Sequence, residues 1–130
     1  MTEGSIRILL VEDEPGVAET VVDLIEMLGY QVKLSGSGEE ALELLRDAAP
    51  FDLLISDVVM PGISGIELAA AARREQPSLS VILTSGFSAS SLEKSRQDLA
   101  DFVFLHKPYS LSDLSRSIKD CVAMRGEART

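Results

Sequence analysis

Short apolar runs rich in Ile, Val and Leu alternate with helical patterns along the whole chain of 130 residues. This alternation is typical of βαβ units arranged around a parallel sheet, with helices on both faces. The predicted strands cover residues 6–11, 30–34, 53–56, 81–84 and 102–105. The first run is almost continuously apolar, as expected of a strand that is covered on both faces. We therefore predict an α/β domain with five strands, five helices and the first strand at its centre.

Helix start and stop signals separate the predicted strands. The first helix, over 15–28, is expected to stop at Gly29. A serine followed three residues later by an acidic residue predicts a capping box at the start of the other helices. These pairs are Ser37 with Glu40, Ser64 with Glu67, Ser90 with Glu93 and Ser110 with Asp113. The helix over 88–99 has few apolar positions and is predicted to be the least stable element.

Composition and charge exclude several classes of protein. The chain contains 45% hydrophobic and 25% charged residues, and it lacks the ~18 consecutive apolar residues of a membrane span. Its net charge of −9 opposes direct binding to nucleic acid or to anionic membranes. The single cysteine, Cys121, cannot form an internal disulfide, and no secretory signal precedes residue 12. We predict one cytoplasmic domain over 1–130, with its core at 6–124 and a frayed tail from Arg125.

Polar side chains follow four of the predicted strands. In an open parallel sheet, ligands bind beyond the carboxyl ends of the strands. The residues at these ends are Glu12, Asp13, Asp57, Thr84, Ser85 and Lys107. Neighbouring carboxylates repel each other unless a cation compensates, and Mg²⁺ fits because it binds oxygen ligands and bridges carboxylates to phosphate. A lysine and a hydroxyl can neutralise phosphoryl oxygens, so the set indicates phosphoryl chemistry centred on a carboxylate.

Four sequence blocks resemble one known family, the receiver domain of two-component response regulators. The blocks are ILLVEDEP at 8–15, LLISDVVMPGISG at 53–65, VILTSG at 81–86 and FVFLHKPYS at 102–110. The resemblance covers about residues 6–124. It implies a flavodoxin-like, doubly wound (βα)5 fold with a five-stranded parallel sheet in the order 2-1-3-4-5.

The resemblance also implies a role for each residue of the site. Asp57 corresponds to the phosphorylated nucleophile, and Glu12 and Asp13 correspond to the acidic pair that binds Mg²⁺. Asp57 itself and the backbone carbonyl of Val59 complete the implied metal ligands. Lys107 corresponds to the lysine that pairs first with the carboxylate and then with the phosphoryl group.

The implied switch residues lie on the fourth and fifth strands. Ser85 takes the position of the family's switch hydroxyl, since it follows Asp57 by 28 residues and precedes Lys107 by 22; Thr84 remains the alternative. Phe104 takes the position of the aromatic residue that changes rotamer. The segment at 88–101 lacks the Gly-Ala pair that usually precedes the fifth strand of the family.

The implied function is that of a signalling phosphoacceptor rather than a conventional enzyme. The phosphoryl group would come from a phosphohistidine of a histidine kinase or histidine phosphotransfer protein, because the chain has no phosphate-binding loop for ATP. Phosphorylation would then change a surface that binds a further protein, whose identity stays open. The resemblance does not separate a stand-alone receiver from a receiver that belongs to a hybrid histidine kinase.

Two alternatives come from other classes of protein. Gly36, Gly38 and Ala41 satisfy the G-x-G-x-x-A fingerprint of a dinucleotide-binding oxidoreductase, and Asp57 follows about 20 residues later. That fingerprint would lie on the second strand, however, and would leave Lys107 without a role. A haloacid-dehalogenase-like phosphatase would need a second aspartate two residues after Asp57, where Val59 stands.

Overall fold

The five predicted strands form one parallel sheet. The computed structural model describes residues 6–47, 50–85, 103–106 and 109–129. The strands are β1 (Arg7–Val11), β2 (Gln31–Ser35), β3 (Leu53–Asp57), β4 (Ser80–Ser85) and β5 (Val103–His106). Their order is β2-β1-β3-β4-β5, and all four neighbouring pairs are parallel. This confirms the predicted sheet order, and each strand boundary lies within one residue of its prediction. The central strand is β3, however, so the prediction that the first strand lies at the centre is wrong; β1 lies between β2 and β3.

Four helices lie within the described residues. They are α1 (Pro15–Met27), α2 (Gly38–Asp47), α3 (Gly65–Glu75) and α4 (Leu111–Arg129). The helix predicted over 88–99 lies outside the described residues. The backbone of α4 is helical to Arg129, four residues beyond the point where the sequence predicts fraying. The predicted limits of the domain remain a prediction.

The sheet separates two apolar cores because successive strand side chains point to opposite faces. We call the first the α2/α3 core; it includes Leu9, Val11, Leu45, Leu54, Leu68 and Leu83. We call the second the α1/α4 core; it includes Ile8, Leu10, Ile25, Ile55, Ile82, Leu114 and Ile118. Burial on both faces explains why β1, β3 and β4 each contain an uninterrupted apolar run of three or four residues.

Local hydrogen bonds define most helix ends as predicted. Ser64 and Glu67 form a complete capping box at the start of α3, with bonds of 3.1 and 3.0 Å. Ser110 and Asp113 form the equivalent bonds before α4, at 2.9 and 3.2 Å. Gly29 has a φ of +92° directly after α1, which is the backbone conformation that glycine adopts most readily at a helix end.

The capping box predicted at the start of α2 forms only in part. The Glu40 backbone N–H donates to the Ser37 hydroxyl at 3.1 Å. The Glu40 carboxylate, however, accepts from the Gly36 N–H at 2.9 Å and from the Ser35 hydroxyl at 3.1 Å, and not from the Ser37 N–H. Ser35 is buried at the end of β2, so its hydroxyl needs a protein partner. Two acceptors lie within reach of it, the Ser37 carbonyl at 2.8 Å and the Glu40 carboxylate at 3.1 Å.

Candidate functional site

Strand register brings the predicted acidic residues to one edge of the sheet. Val11 of β1 pairs with Ser56 of β3, so Glu12 and Asp57 follow at the same level of neighbouring strands. Such strands lie about 4.8 Å apart. The Glu12 N–H also donates to the Ser35 carbonyl at 3.0 Å, which continues the β1–β2 ladder by one residue. The carboxyl ends of β1 and β3 therefore place acidic side chains side by side.

Asp57 is the last residue of β3 and is half-buried. Its Oδ1 accepts a hydrogen bond from the Val59 N–H at 3.2 Å. The next residue, Val58, donates its N–H to the Thr84 carbonyl at 2.8 Å, which ties the chain to β4 immediately after Asp57. The aspartate is thus held on a well-connected strand end, and part of its surface remains open to solvent.

Glu12 and Asp13 form the start of the loop that joins β1 to α1. Glu12 is half-buried, and its Oε2 accepts from the Glu14 N–H at 3.2 Å. Asp13 is exposed. The two acidic residues therefore differ in setting, because Glu12 is held by the local backbone while Asp13 faces solvent.

The loop between β3 and α3 is closed tightly behind Asp57. The Gly65 N–H donates to the Val58 carbonyl at 2.8 Å. A Cβ atom on Gly65 would collide with the carbonyl oxygen of Asp57 and would lie 2.9 Å from the Val58 Cα. Gly62, in the same loop, has a φ of +80°. Sequence reasoning did not identify these two glycines, although the pattern MPGISG in 60–65 carries the signal.

Both candidate switch hydroxyls are buried at the end of β4. Thr84 pairs with Asp57, and Ser85 pairs with His106 of β5. Leu83 belongs to the α2/α3 core, so alternation puts Ser85 on that face and Thr84 on the other. Phe104 pairs with Leu83 and packs against the α2/α3 core. Ser85 and Phe104 therefore share one face of the sheet.

A family model describing the response regulator receiver domain matches residues 8–119. That range runs from the second residue of β1 to the middle of α4. The chain belongs to the response regulator receiver domain family. Receiver domains are the phosphoacceptor domains of two-component signalling systems, and they interact with histidine kinases or histidine phosphotransfer proteins.

Curated relatives include both a short protein and a long one. The receiver chain is 38% identical over 113 residues to the response regulator receiver protein CpdR of Brucella abortus, covering 87% of this chain and 93% of CpdR. It is 36% identical over 118 residues to the sensor kinase CckA of the same organism, covering 90% of this chain. The chain spans only 12% of the length of CckA.

Solved structures agree with the fold. The receiver domain of the hybrid histidine kinase CckA is 36% identical, with a TM-score of 0.74 over 88% of this chain and 97% of that one. The response regulator TrrA of Thermotoga maritima, in complex with Mg²⁺ and BeF, is 30% identical, with a TM-score of 0.78 over 89% of this chain and 98% of that one. A CheY-like receiver from Methanospirillum hungatei has a TM-score of 0.87 over 95% of this chain and 98% of that one, at 22% identity, and supports the fold alone.

The donor set of this receiver domain suits a hard divalent cation. Receiver domains generally depend on Mg²⁺. Within 6–47, 50–85, 103–106 and 109–129, no group of three or more His, Cys, Asp or Glu side chains is arranged to hold a metal. Mg²⁺ does not require such a group, since it usually keeps several waters and binds through one or two carboxylates. Glu12, Asp13 and Asp57 offer carboxylate oxygens at one sheet edge.

One predicted member of the site, Lys107, lies outside the described residues. Part of the β5–α4 connection that carries it is also outside them, so its position relative to Asp57 stays a prediction. The neighbouring His106 ends β5 and is exposed. Among the described residues, no helix is long and apolar enough to cross a membrane.

The comparisons do not support the dinucleotide-binding alternative. Its glycines follow β2, which is an edge strand, and not β1 at the point where strand order reverses. The Gly36 N–H is occupied by the Glu40 carboxylate at 2.9 Å. A Cβ atom on Gly38 would lie 2.5 Å from the Ile63 side chain, so the absence of a side chain at Gly38 serves packing within the protein.

Proposed function

We propose that Asp57 is the residue of this receiver domain that accepts the phosphoryl group. The observation that carries the proposal is the strand register, which sets Asp57 at the carboxyl end of β3 beside the acidic start of the β1–α1 loop. Val11, Val58 and Met60 are buried around this edge, whereas Asp57 itself is half-buried and open in part to solvent. A carboxylate held there is positioned to meet a donor that approaches from solvent.

Glu12, Asp13, Asp57 and the backbone carbonyl of Val59 would hold Mg²⁺. These donors are oxygens, which Mg²⁺ prefers. When bound, the cation supplies positive charge that stabilises the oxygens of the phosphoryl group during transfer. The match to TrrA, whose solved structure contains Mg²⁺ and BeF, supports this assignment.

In the transfer step, a carboxylate oxygen of Asp57 attacks the phosphorus of a partner's phosphohistidine. The oxygen–phosphorus bond forms while the nitrogen–phosphorus bond to the imidazole breaks, and the departing imidazole nitrogen takes up a proton. Lys107 would neutralise charge on the phosphoryl oxygens. The product is an aspartyl phosphate on Asp57 and a neutral histidine on the partner.

Ser85 and Phe104 would convert this modification into a change of surface. Phosphorylation adds about −1.5 to −2 charge and three acceptor oxygens, which attract the hydroxyl of Ser85. Ser85 shares a sheet face with Phe104, so movement of β4 alters the space available to the aromatic ring. Thr84 projects toward the α1/α4 core by strand alternation, which favours Ser85 as the hydroxyl coupled to Phe104.

The donor is a histidine kinase or a histidine phosphotransfer protein in the cytoplasm, and the output is a protein contact. The match to nearly all of CpdR and to one part of CckA is compatible with a receiver that acts alone and with one that belongs to a hybrid kinase.

Acetyl phosphate and Mg²⁺, followed by intact mass spectrometry, test the phosphoacceptor assignment. The wild-type chain should gain the mass of one phosphoryl group, and the adduct should be absent in Asp57→Asn. Asp23→Asn is the matched control, because Asp23 is an exposed residue of α1 and should leave phosphorylation unchanged. Persistence of the adduct in Asp57→Asn would show that another residue is the acceptor.

The switch assignment is tested by comparing Ser85→Ala with Thr84→Val. Both variants should still be phosphorylated, but Ser85→Ala should reduce the phosphorylation-dependent NMR shifts around β4 and Phe104. Loss of those shifts in Thr84→Val instead would move the switch role to Thr84.

A further inference from the structure

The first turn of α2 connects the two loops that border the acidic edge. It follows β2 after Gly36 and Ser37. The carbonyl of Ser35, the last residue of β2, accepts a hydrogen bond from the Glu12 N–H at 3.0 Å. On its other side, the same turn contacts the β3–α3 loop through Gly38 and Glu39. The turn therefore lies between the backbone of the Glu12 loop and the backbone of the Asp57 loop.

Glu40 fixes this turn to the end of β2. Its carboxylate accepts from the Gly36 N–H at 2.9 Å and from the buried Ser35 hydroxyl at 3.1 Å. These two hydrogen bonds, with that from the Gly36 N–H the larger cause, lower the pKa of the Glu40 carboxyl below its ordinary value. The Ser35 hydroxyl also contacts the Ser37 carbonyl at 2.8 Å. The start of α2 is consequently held in a defined position relative to β1.

Glu39 reaches from this fixed turn to the β3–α3 loop. Its Oε2 accepts a hydrogen bond from the Ile63 N–H at 3.2 Å, across 24 residues of sequence. A Cβ atom on Gly62 would lie 2.5 Å from the same oxygen. The carboxylate thus packs against the loop backbone beside Gly62, whose φ of +80° is a conformation that favours glycine.

Gly38 makes the approach of the two segments possible. A Cβ atom there would lie 2.5 and 2.9 Å from two carbons of the Ile63 side chain. Ile63 itself packs against the α2/α3 core. The Ile63 side chain and backbone N–H are both in contact with the first turn of α2, so the contact fixes the loop by packing as well as by a hydrogen bond.

The loop that Glu39 contacts also carries the expected phosphoacceptor machinery. It starts at Asp57, includes the Val59 carbonyl, and is closed by the Gly65 N–H bond to the Val58 carbonyl at 2.8 Å. That closure holds the two ends of the loop together. The bond from Ile63 to Glu39 restrains the intervening part, and the restraint comes from outside the loop.

We propose that Glu39 is a positioning residue, which holds the β3–α3 loop from α2 so that the Val59 carbonyl and Asp57 keep the arrangement needed for Mg²⁺ and phosphoryl binding. This proposal rests on the phosphoacceptor role proposed for Asp57. Glu39 acts through the Ile63 backbone and does not itself touch the reacting atoms. The positioning role requires an acceptor oxygen on residue 39 for the Ile63 N–H, and it does not depend on the negative charge of Glu39.

The proposal distinguishes Glu39→Gln from Glu39→Ala. Glutamine keeps an acceptor oxygen at nearly the same reach, whereas alanine leaves the Ile63 N–H without this partner. One hydrogen bond of this kind changes an equilibrium by about 2- to 13-fold. We expect Glu39→Ala to weaken Mg²⁺ binding by about that factor and to slow phosphorylation by acetyl phosphate at subsaturating Mg²⁺ similarly. Glu39→Gln should remain close to wild type.

The measurements are an NMR titration with MgCl₂, the phosphorylation rate by intact mass, and hydrogen exchange of the Ile63 amide. Exchange at Ile63 should accelerate in Glu39→Ala and not in Glu39→Gln. Glu43→Ala is the matched control, because Glu43 is an exposed glutamate one turn further along α2, and it should match wild type in all three measurements.

Each outcome has a distinct meaning. Equal weakening of Mg²⁺ binding in the Gln and Ala variants would show a long-range effect of charge and would overturn the positioning role. Unchanged Mg²⁺ binding and phosphorylation in Glu39→Ala would also overturn it. In that case, phosphorylation of the wild-type chain at Asp57 would still support the phosphoacceptor role. Failure of the wild-type chain to be phosphorylated would instead contradict the function proposed for Asp57.

Discussion

The close approach of α3 to the end of β3 makes Gly65→Ala a sensitive test of the site. A Cβ atom at this position would collide with the Asp57 carbonyl oxygen and would lie 2.8 Å from the carbon of that carbonyl and 2.9 Å from the Val58 Cα. All of these are backbone atoms, so no side-chain rotation can relieve the contact. Either the first turn of α3 or the end of β3 must move.

The expected cost is a balance of two effects. Forcing an extra carbon into a packed site costs about 1–3 kcal/mol, whereas replacing glycine by alanine within a helix returns at most about 0.5–1 kcal/mol. We expect a net loss of about 1–2 kcal/mol in the free energy of unfolding. For a chain of this size, that loss corresponds to a decrease in Tm of about 3–10 °C.

Gly16→Ala provides the matched control. Gly16 is the second residue of α1 and Gly65 is the first residue of α3, so both lie in the first turn of a helix. A Cβ atom on Gly16, however, would meet no neighbouring part of the protein within 4 Å. Its unfolding free energy should be unchanged or raised by less than about 1 kcal/mol. Urea unfolding followed by circular dichroism measures both variants.

Phosphorylation gives the second measurement for Gly65→Ala. Because the displaced atoms belong to Asp57 and its neighbour, the rate of phosphorylation by acetyl phosphate should fall in Gly65→Ala and stay unchanged in Gly16→Ala. A Gly65→Ala chain with wild-type stability and wild-type rate would refute the reasoning, since it would mean that the contact relaxes without cost and without moving Asp57.

Three further predictions concern stability and reactivity. Ser64→Ala removes the capping box of α3 and should lower the unfolding free energy by about 1 kcal/mol; a change close to zero in urea unfolding would contradict this. Gly29→Ala places a side chain at a φ of +92° and should destabilise by about 1 kcal/mol, whereas Gly36→Ala, which has open space and no positive φ, should not. Burial raises the pKa of the Cys121 thiol from its ordinary 9.0 to about 11. The folded thiol should therefore resist a thiol-specific reagent at pH 7, and rapid labelling without denaturant would contradict this. Because the thiol of the unfolded chain ionises at lower pH than the folded one, the free energy of unfolding should decrease as pH rises from 9.0 to about 11.

Much of the fold was predictable because local patterns and tertiary packing agree. The apolar runs of β1, β3 and β4 are buried on both faces, so each run marks the position of its strand to within two residues at either end. The serine caps of α3 and α4 depend on atoms only three residues apart, which the sequence displays directly. At α2 two other local donors competed with the predicted pattern, and the Glu40 carboxylate accepts from the Gly36 N–H and the Ser35 hydroxyl and not from the Ser37 N–H.

The acidic part of the site was predictable for a topological reason. Parallel strands put their carboxyl ends at one edge, so residues that follow β1 and β3 meet there irrespective of their separation in the chain. The contact between Glu39 and Ile63 was not predictable in this way, because it joins a helix start to a loop across 24 residues. Only the two glycines at 38 and 62 hint that backbones approach closely there.

The division of the interior into two separate apolar layers has a consequence for how this protein can change over evolutionary time. Ser85 and Phe104 lie on the layer that packs under α2 and α3, while Cys121 lies on the opposite layer. Because the sheet backbone stands between them, volume lost in one layer cannot be refilled from the other. Compensating substitutions should accordingly arise within a layer, and the half that contains Ser85 and Phe104 can accumulate substitutions while the other half retains its own packing.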